Sequence, residues 1–543
     1  VVGVPAAVML AFGLWGVDRG GMWRDEAVTF QVAGRTVPQI WRLVHGVDAV
    51  HGLYYLLMHA VLAVHADEVV LRLPSVAGAV LTTALVAEVG ARLARPRVGL
   101  WAGLLYAVNP MAGHYAQEGR SYALVAAGVM GATLLLLRGA WWGYGLVLGV
   151  TCWLHEFAVL VVLAHGLSLA LARVRGRVWR GWGCAAGAVL LSLLPMVVVS
   201  RAQAAQVAWL RRPTGETVAG LARQFFGASE GAYWVCLGLA VVGSLAGAVG
   251  GRGTRRGEFA LAGVAAPLVV VPPGVLMLAS QSSPPLYVDR YVLYALAGAP
   301  LLVAAGGEWV AGTAERLRPG ARRAVAPAHL RPREGTNTRP HSGDRPETVG
   351  PEAGRKVPVA VRPLLRTYFV TLLGLLAVAL VPLQQFSLLQ QDRDPARRPD
   401  DLAAIARAAA YGVRKGDAVL YLPAYTRNTE LAYPGAFRGT RDLVLARTGG
   451  VSGTLYGVEV PAAAVRGRVA GVQRVWVIAD RAVLAGRWTP RDPGERAKLD
   501  LLQREFTVRG EAVRGRTAVR LYVRPLSPAS LRPPSLPPRP ARW

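Results

Sequence analysis

Apolar runs close to the length of a bilayer recur along this chain, and they limit its fold before any motif is read. A spanning helix needs roughly 20 apolar residues. Runs near that length occupy about 1–17, 69–91, 98–114, 121–137, 140–155, 156–172, 183–200, 231–250, 258–279, 291–311 and 367–386. The stretch 140–172 is too long for one span and is divided at Thr151–Glu156. The expectation is a mainly α, polytopic membrane protein with about eleven transmembrane helices. Composition agrees: 53% of the 543 residues are hydrophobic and mean hydropathy is +0.33, too apolar for a soluble domain of this size.

The formal net charge is +28, from 61 Lys and Arg against 33 Asp and Glu. Basic loops between apolar runs hold a membrane protein in its orientation and suit anionic lipid head groups. The charge therefore points to membrane lipids as partners, with no nucleic acid. The three cysteines, Cys152, Cys184 and Cys236, sit in apolar stretches without metal spacing or a disulfide framework. Val1–Val17 is not followed by a small-residue cleavage pattern and is expected to be a retained first helix.

One segment decides which loops share a side. Leu53–His65 is apolar but short for a span, and reads as an interfacial helix with Tyr54 and Tyr55 at its polar edge. If it does not cross, one side receives Arg92, Arg95, Arg97, Arg138, Arg173, Arg175, Arg177, Arg180, Arg252, Arg255 and Arg256. By the positive-inside rule that side is cytoplasmic, with the N-terminus. The other side then receives Asp25, Glu26, Glu118, Arg120, His155, Asp289 and Arg290.

The expected organisation is a transmembrane core at 1–311 with an extracytoplasmic loop at 18–68, then a disordered basic cytoplasmic loop at 312–366 and a last span at 367–386. An extracytoplasmic α/β domain at 387–524 follows: helices at Asp401–Tyr411 and Leu499–Phe506, strands at Asp417–Leu422, Arg474–Ile478 and Ala518–Val523. A Pro-rich tail, 525–543, is expected to be disordered.

The polar clusters gather at the extracytoplasmic ends of the spans. They are Asp25-Glu26, His51-Gly-Leu-Tyr-Tyr55, Leu71-Arg-Leu-Pro-Ser75, Tyr115-Ala-Gln-Glu-Gly-Arg-Ser-Tyr122, His155-Glu156 and Asp289-Arg-Tyr291. Charges beside a membrane are costly unless they face water or a partner, so this clustering marks a functional site.

In these residues the chain resembles GT-C fold glycosyltransferases of the family-39 type, which include protein O-mannosyltransferases and the lipid A aminoarabinose transferase. The family's acidic pair in the first extracytoplasmic loop matches Asp25-Glu26. Its H-x-P-L-Y-Y stretch matches His51–Tyr55, with Gly and Leu shifted in place of the usual Pro-Leu. R-L-P-S matches Arg72–Ser75, and Y-x-Q-E-x-R-x-Y matches Tyr115–Tyr122. A His between spans five and six matches His155, and R-Y before a late span matches Arg290-Tyr291. The likeness covers residues 1–310.

The resemblance implies a polyprenyl-phosphate sugar donor and an extracytoplasmic protein, glycan or lipid acceptor. An acceptor hydroxyl attacks the anomeric carbon, a carboxylate takes its proton, and the lipid phosphate leaves. Asp25 and Glu26 are the catalytic candidates, with Asp25 as the inverting general base. Arg72, Glu118, Arg120, Arg290, His51, Tyr55, Tyr122, His155 and Tyr291 are candidates for donor and substrate binding. The residues name no cofactor; the adjacent acids could hold a divalent cation, without a ligand spacing that argues for one.

Structural roles compete with each assignment. Asp25 and Glu26 could cap the next helix, Glu118 and Arg120 could pair locally, and Arg72 could snorkel. Arg290 could neutralise Asp289, the histidines could be wall residues and the tyrosines an aromatic belt. Two rival functions are a lipid or solute transporter or flippase, and a membrane-anchored scaffold. A transporter predicts mid-span charges and internal repeats, and neither is seen. A scaffold leaves the polar clusters without a purpose.

Overall fold

The structure, a computed structural model, describes residues 1–250, 256–282, 284–317, 371, 374, 376, 379–380, 383–395 and 400–525. Most of the expected basic loop at 312–366, most of the span at 367–386 and the tail from 526 lie outside the described residues.

The membrane part opens with α1 (Gly3–Leu14), followed by three helices of the 18–68 segment: α2 (Arg24–Ala33), α3 (Val37–Gly46) and α4 (Gly52–Leu62). Then come α5 (Glu68–Leu93), α6 (Pro96–Ala107), α7 (Pro110–Ala116), α8 (Tyr122–Arg138), α9 (Trp141–Leu154) and α10 (Val161–Leu171). The rest are α11 (Gly176–Ala202), α12 (Gly215–Phe226), α13 (Glu230–Gly250), α14 (Leu261–Ala279) and α15 (Gly298–Leu317), the last entered through a tight helical turn at Asp289–Ala297. Among the described residues, five helical stretches are long and apolar enough to cross a membrane: Glu68–Leu93, Gly176–Ala202, Glu230–Gly247, Leu261–Ala279 and Asp289–Thr313. Shorter apolar helices, α1 and α8 among them, pack between them.

Sequence chemistry explains where helices stop and how closely they pack. The apolar run 98–114 is not one helix but two, because Asn109-Pro110 interrupts it. Asn109 Oδ1 accepts from the Met111 and Ala112 amides at 2.9 and 3.2 Å, and Pro110 opens α7. Helices α5 and α6 approach backbone to backbone at Gly99, where a Cβ would stand 2.2 Å from the Ala87 carbonyl oxygen. In lipid, where association rests on packing, small residues permit that approach.

The segment holding Leu53–His65 begins and ends at one end of the bundle. Arg72, at the start of α5, lies 2.9 Å from Glu26, so the entrance to α5 and the loop after α1 share one side. Helix α4 packs on α2, α5 and α9. Its Tyr54 and Tyr55 are fully buried, a correction to the polar edge expected for them: Tyr54 joins the main bundle core and Tyr55 packs with Val28, Val32, Ile40 and Leu43 of α2 and α3.

On the same side sits the α/β part. A helix at 383–392 (α16) leads towards it. The strands are β1 (Ala418–Leu422), β2 (Arg441–Asp442), β3 (Leu445–Arg447), β4 (Val458–Glu459), β5 (Arg474–Asp480), β6 (Thr507–Arg514) and β7 (Thr517–Val523). The helices are α17 (Leu402–Gly412), α18 (Asn428–Ala432), α19 (Gly449–Ser452), α20 (Ala462–Val469), α21 (Arg481–Leu484) and α22 (Pro493–Glu505). The main sheet runs β2-β1-β5-β7-β6; β2, β1 and β5 are parallel, while β7 and β6 are antiparallel. Strand β1 is buried along its whole length, as a central parallel strand covered on both faces should be.

Candidate active site

Helix α2 presents its two adjacent carboxylates to different surroundings. Successive helical residues point about 100° apart, so Asp25 and Glu26 cannot share one partner here. Glu26 is 1% exposed. Its two oxygens accept from Nε and Nη2 of Arg72, each at 2.9 Å, and Oε1 also accepts from the Gly119 amide at 2.9 Å. Arg72 is itself fully buried and donates from Nη1 to the Val17 carbonyl at 2.7 Å. Ser75 donates to the carbonyls of Glu118 (2.6 Å) and Arg120 (3.0 Å). Glu26, Arg72, Ser75 and Gly119 thus form one knot that ties α2, α5 and the 117–121 turn together. Glu26 accepts from Arg72 and the Gly119 amide while bordering the cavity described below, and the Arg72 guanidinium is engaged in the knot, so both carry a structural role here.

Asp25 points the other way and keeps solvent access, with 26% of its side chain exposed. Its Oδ2 lies 3.6 Å from Nη2 of Arg290. Arg290 also donates from Nε to the Tyr122 hydroxyl at 3.2 Å and lies over the Trp23 and Tyr291 rings. It does not neutralise Asp289 through its guanidinium. Asp289 accepts instead from the Arg290 amide at 2.8 Å and from Gln224 Nε2 at 3.0 Å. Arg120, buried beside α2, donates to Thr29 Oγ1 at 3.3 Å and to the Asp25 carbonyl at 3.5 Å.

Against this cluster opens a cavity of about 500 Å³, whose lining includes Trp23, Glu26, His114, Tyr115, Glu118, Arg290 and Asp392. Glu118 is 4% exposed, and neither of its oxygens has a hydrogen-bond partner among the described residues. His114 Nε2 is 3.9 Å away. Burial pushes the Glu118 carboxyl up to about 7, against the pull of His114 and Arg290. It is therefore poised between acid and anion near neutrality.

A second shelf of aromatic and imidazole rings adjoins the first. The His155 ring centroid is 4.8 Å from Tyr291, 5.7 Å from Tyr122 and 6.1 Å from His51. His51 and His155 are buried, and Nδ1 of each lacks a partner among the described residues. Burial and then the neighbouring Arg120 hold the His51 imidazole well below its ordinary range, so it is neutral. The Tyr55 ring lies 6.1 Å from His51, and its hydroxyl donates to the Asp48 carboxylate.

The structure therefore gathers Asp25, Glu118, Arg120, Arg290, Tyr122, Tyr291, His51 and His155 in one region, and puts Glu26, Arg72 and Tyr55 into its scaffold. His114 and Asp392 were not foreseen, and Tyr115 was noted only as the first residue of its motif. His114 sat at the end of an apolar run assigned to a span, four residues before Glu118. Asp392, whose Oδ1 is 2.6 Å from His114 Nδ1, comes from 278 positions away and gave no local signal. Among the described residues, no three His, Cys, Asp or Glu side chains converge as metal ligands, and Asp25 and Glu26 face apart.

No family model and no curated protein matches the chain. Solved structures do. The apo crystal structure of ArnT from Cupriavidus metallidurans is similar over 96% of this chain and 97% of its own, at 13% identity and a TM-score of 0.59. The structure of the same protein bound to undecaprenyl phosphate gives 14% identity and a TM-score of 0.58 over the same shares. The chain has the GT-C fold: a polytopic membrane bundle carrying a C-terminal α/β region.

Proposed function

We propose that this protein is a membrane glycosyltransferase that moves a sugar, a hexose or pentose such as mannose, from a polyprenyl-phosphate donor to an acceptor hydroxyl outside the cytoplasm. The carrying observation is Asp25: a solvent-reachable carboxylate, 3.6 Å from the Arg290 guanidinium, beside the cavity that Arg290 and Trp23 line. The shared fold supports the donor class, since one ArnT structure holds undecaprenyl phosphate.

Asp25 accepts the acceptor's proton as its oxygen bonds to the anomeric carbon, and the carbon–oxygen bond to phosphate breaks on the opposite face. The phosphate leaves as an anion, so it needs cations and donors rather than a strong acid. Arg290 and Arg120 supply the cations. Glu118, when protonated, adds a neutral donor that does not repel the phosphate. Tyr122, Tyr291, His51 and His155 form the polar and aromatic wall on which the sugar rests.

The test uses membranes carrying the full chain and radiolabelled polyprenyl-phosphate mannose, followed by release of label from the lipid. A pentose donor runs in parallel. Wild type should transfer, and Asp25→Asn should lose at least about 100-fold in kcat, the usual worth of a positioned base. Full activity in Asp25→Asn would overturn the assignment of the base. No turnover of either donor by the wild type would remove the donor class.

A further inference from the structure

The α/β part has a crevice of its own, and its occupant is helix α2. In open sheets, ligands bind beyond the carboxyl ends of parallel strands, where the strand order reverses. Here the chain leaves β1 for β2 on one side and returns as β5 on the other, so that point lies between the ends of β1 and β5. The residues there are Pro423–Thr429 after β1 and Asp480 closing β5. Thr426 joins the two strand ends by donating to the Ile478 carbonyl at 2.8 Å, and Tyr425 donates to the Asp480 carboxylate.

Arg24, next to Asp25, fills this crevice. Its guanidinium carbon lies 5.3 Å over the Tyr425 ring, and its Nη2 is 3.7 Å from Asp400. Asn428 Nδ2 donates to the Arg24 carbonyl at 2.9 Å. The void that remains, bordered also by Asp480 and Arg516, is about 20 Å³, room for about one water. Either side of Arg24, α2 is held again. Upstream, the Met22 amide donates to Tyr433 Oη at 2.7 Å and the Met22 carbonyl accepts from the Leu402 amide at 3.2 Å. Downstream, Gln31 and Arg35 donate to the Thr454 and Leu455 carbonyls at 2.9–3.1 Å.

We infer that the α/β domain is a clamp that uses its strand-end crevice to fix helix α2, and that Tyr425 and Asn428 are positioning residues for Asp25. The inference rests on the reading of Asp25 as the base. The Asp25 carboxylate meets Arg290 at 3.6 Å. The bundle holds α2 at Glu26 and Thr29, and the domain holds its N-terminal end at Met22 and Arg24, so the placing of Asp25 between them depends on the domain as well as on the knot. Misplacing a reacting group by about 1 Å costs on the order of 100-fold in rate.

The experiment compares the full chain in nanodiscs with Asn428→Ala and with Tyr425→Phe, which keeps the ring beneath Arg24. Amide hydrogen exchange and transfer kinetics are measured on each. Exchange over residues 24–29 should rise about tenfold or more in Asn428→Ala, with α22 unchanged to show that the domain remains folded. Transfer should lose about 10- to 100-fold in kcat with donor KM within about twofold of wild type, and Tyr425→Phe should change both in the same direction by less. Unchanged exchange over α2 in both variants overturns the clamp, and so does raised exchange with unchanged kcat. If the wild type transfers neither donor, the catalytic reading falls, while the exchange measurement still decides whether the domain holds α2.

Discussion

At the scale of single residues, the site separates carboxylates that look alike in sequence. Asp25 and Glu26 are adjacent, and nothing local ranks them. Their roles diverge because α2 aims one at Arg290 and the other at Arg72, partners 265 and 46 positions away along the chain. Glu118 was legible as a polar group at a span end, but its isolation was not, since that depends on what packs around it. Its buried carboxyl predicts a pH effect on stability. The folded value, about 7, lies above the ordinary 4.5. The folded state therefore holds this proton more tightly than the unfolded chain does. The stabilisation is complete below about 4.5, shrinks as pH rises through the interval, and is gone above about 7. The effect is on the order of 3 kcal/mol for a group this buried. Thermal melts of the purified protein between pH 4.5 and 8 should show Tm falling towards 7 and then levelling. Glu118→Gln, which cannot ionise, should flatten that slope. An equal slope in the variant would assign the effect to other groups.

At the scale of elements, length and apolarity located the helices well, because a span is a long, one-signal feature. Asp401–Tyr411 and Arg474–Ile478 were read within a residue or two of α17 and β5. Strand β6 was missed for a physical reason: Thr507–Arg514 is a polar, mostly exposed edge strand without apolar alternation, and its register slips at Gly510. The start of α22 at Pro493 was missed too, although Asp492 and Pro493 carry the cap-and-proline signal of a helix start. From the two motifs Leu71–Ser75 and Tyr115–Tyr122, Arg72, Glu118, Arg120 and Tyr122 are expected to contact substrate, yet the polar groups of the first motif join elements. Arg72 and Ser75 serve α5 by gripping α2 and the 117–121 turn. This predicts an asymmetry. Arg72→Met leaves Glu26 buried with only amide donors, and should destabilise by about 3–5 kcal/mol. Arg72→Met with Glu26→Leu removes both charges and should recover much of that loss. Melting temperatures of the two variants measure it. An Arg72→Met protein as stable as wild type, with donor binding lost, would return Arg72 to the phosphate.

At the scale of the whole molecule, one face collects the chemistry and the opposite face collects the arginines. The knot fixes the first face, since Glu26, Arg72, Gly119 and the α/β domain meet there. The second is marked by Arg95 and Arg97, at the start of α6, which both pair with Glu308 near the end of α15 at 3.1 and 2.6 Å. Arg138, Arg173, Arg175, Arg177 and Arg180 cap spans at that same end. Basic loops stay in the cytoplasm, so the cavity and the α/β domain should face outward, where a lipid-linked donor meets an extracytoplasmic acceptor. A fluorescent reporter that folds only in the cytoplasm should light up when fused before α1 and stay dark when fused after β7. A phosphatase active only outside should give the reverse pattern. A cysteine placed at Gly34, in the loop after α2, should react with an impermeant thiol reagent in intact cells. Labelling at Gly34 only after lysis would put the Asp25 face in the cytoplasm and the arginine-rich face outside, breaking the orientation while leaving the fold intact. The same result would also strand the proposed extracytoplasmic acceptor, because the site would then open to the cytoplasm.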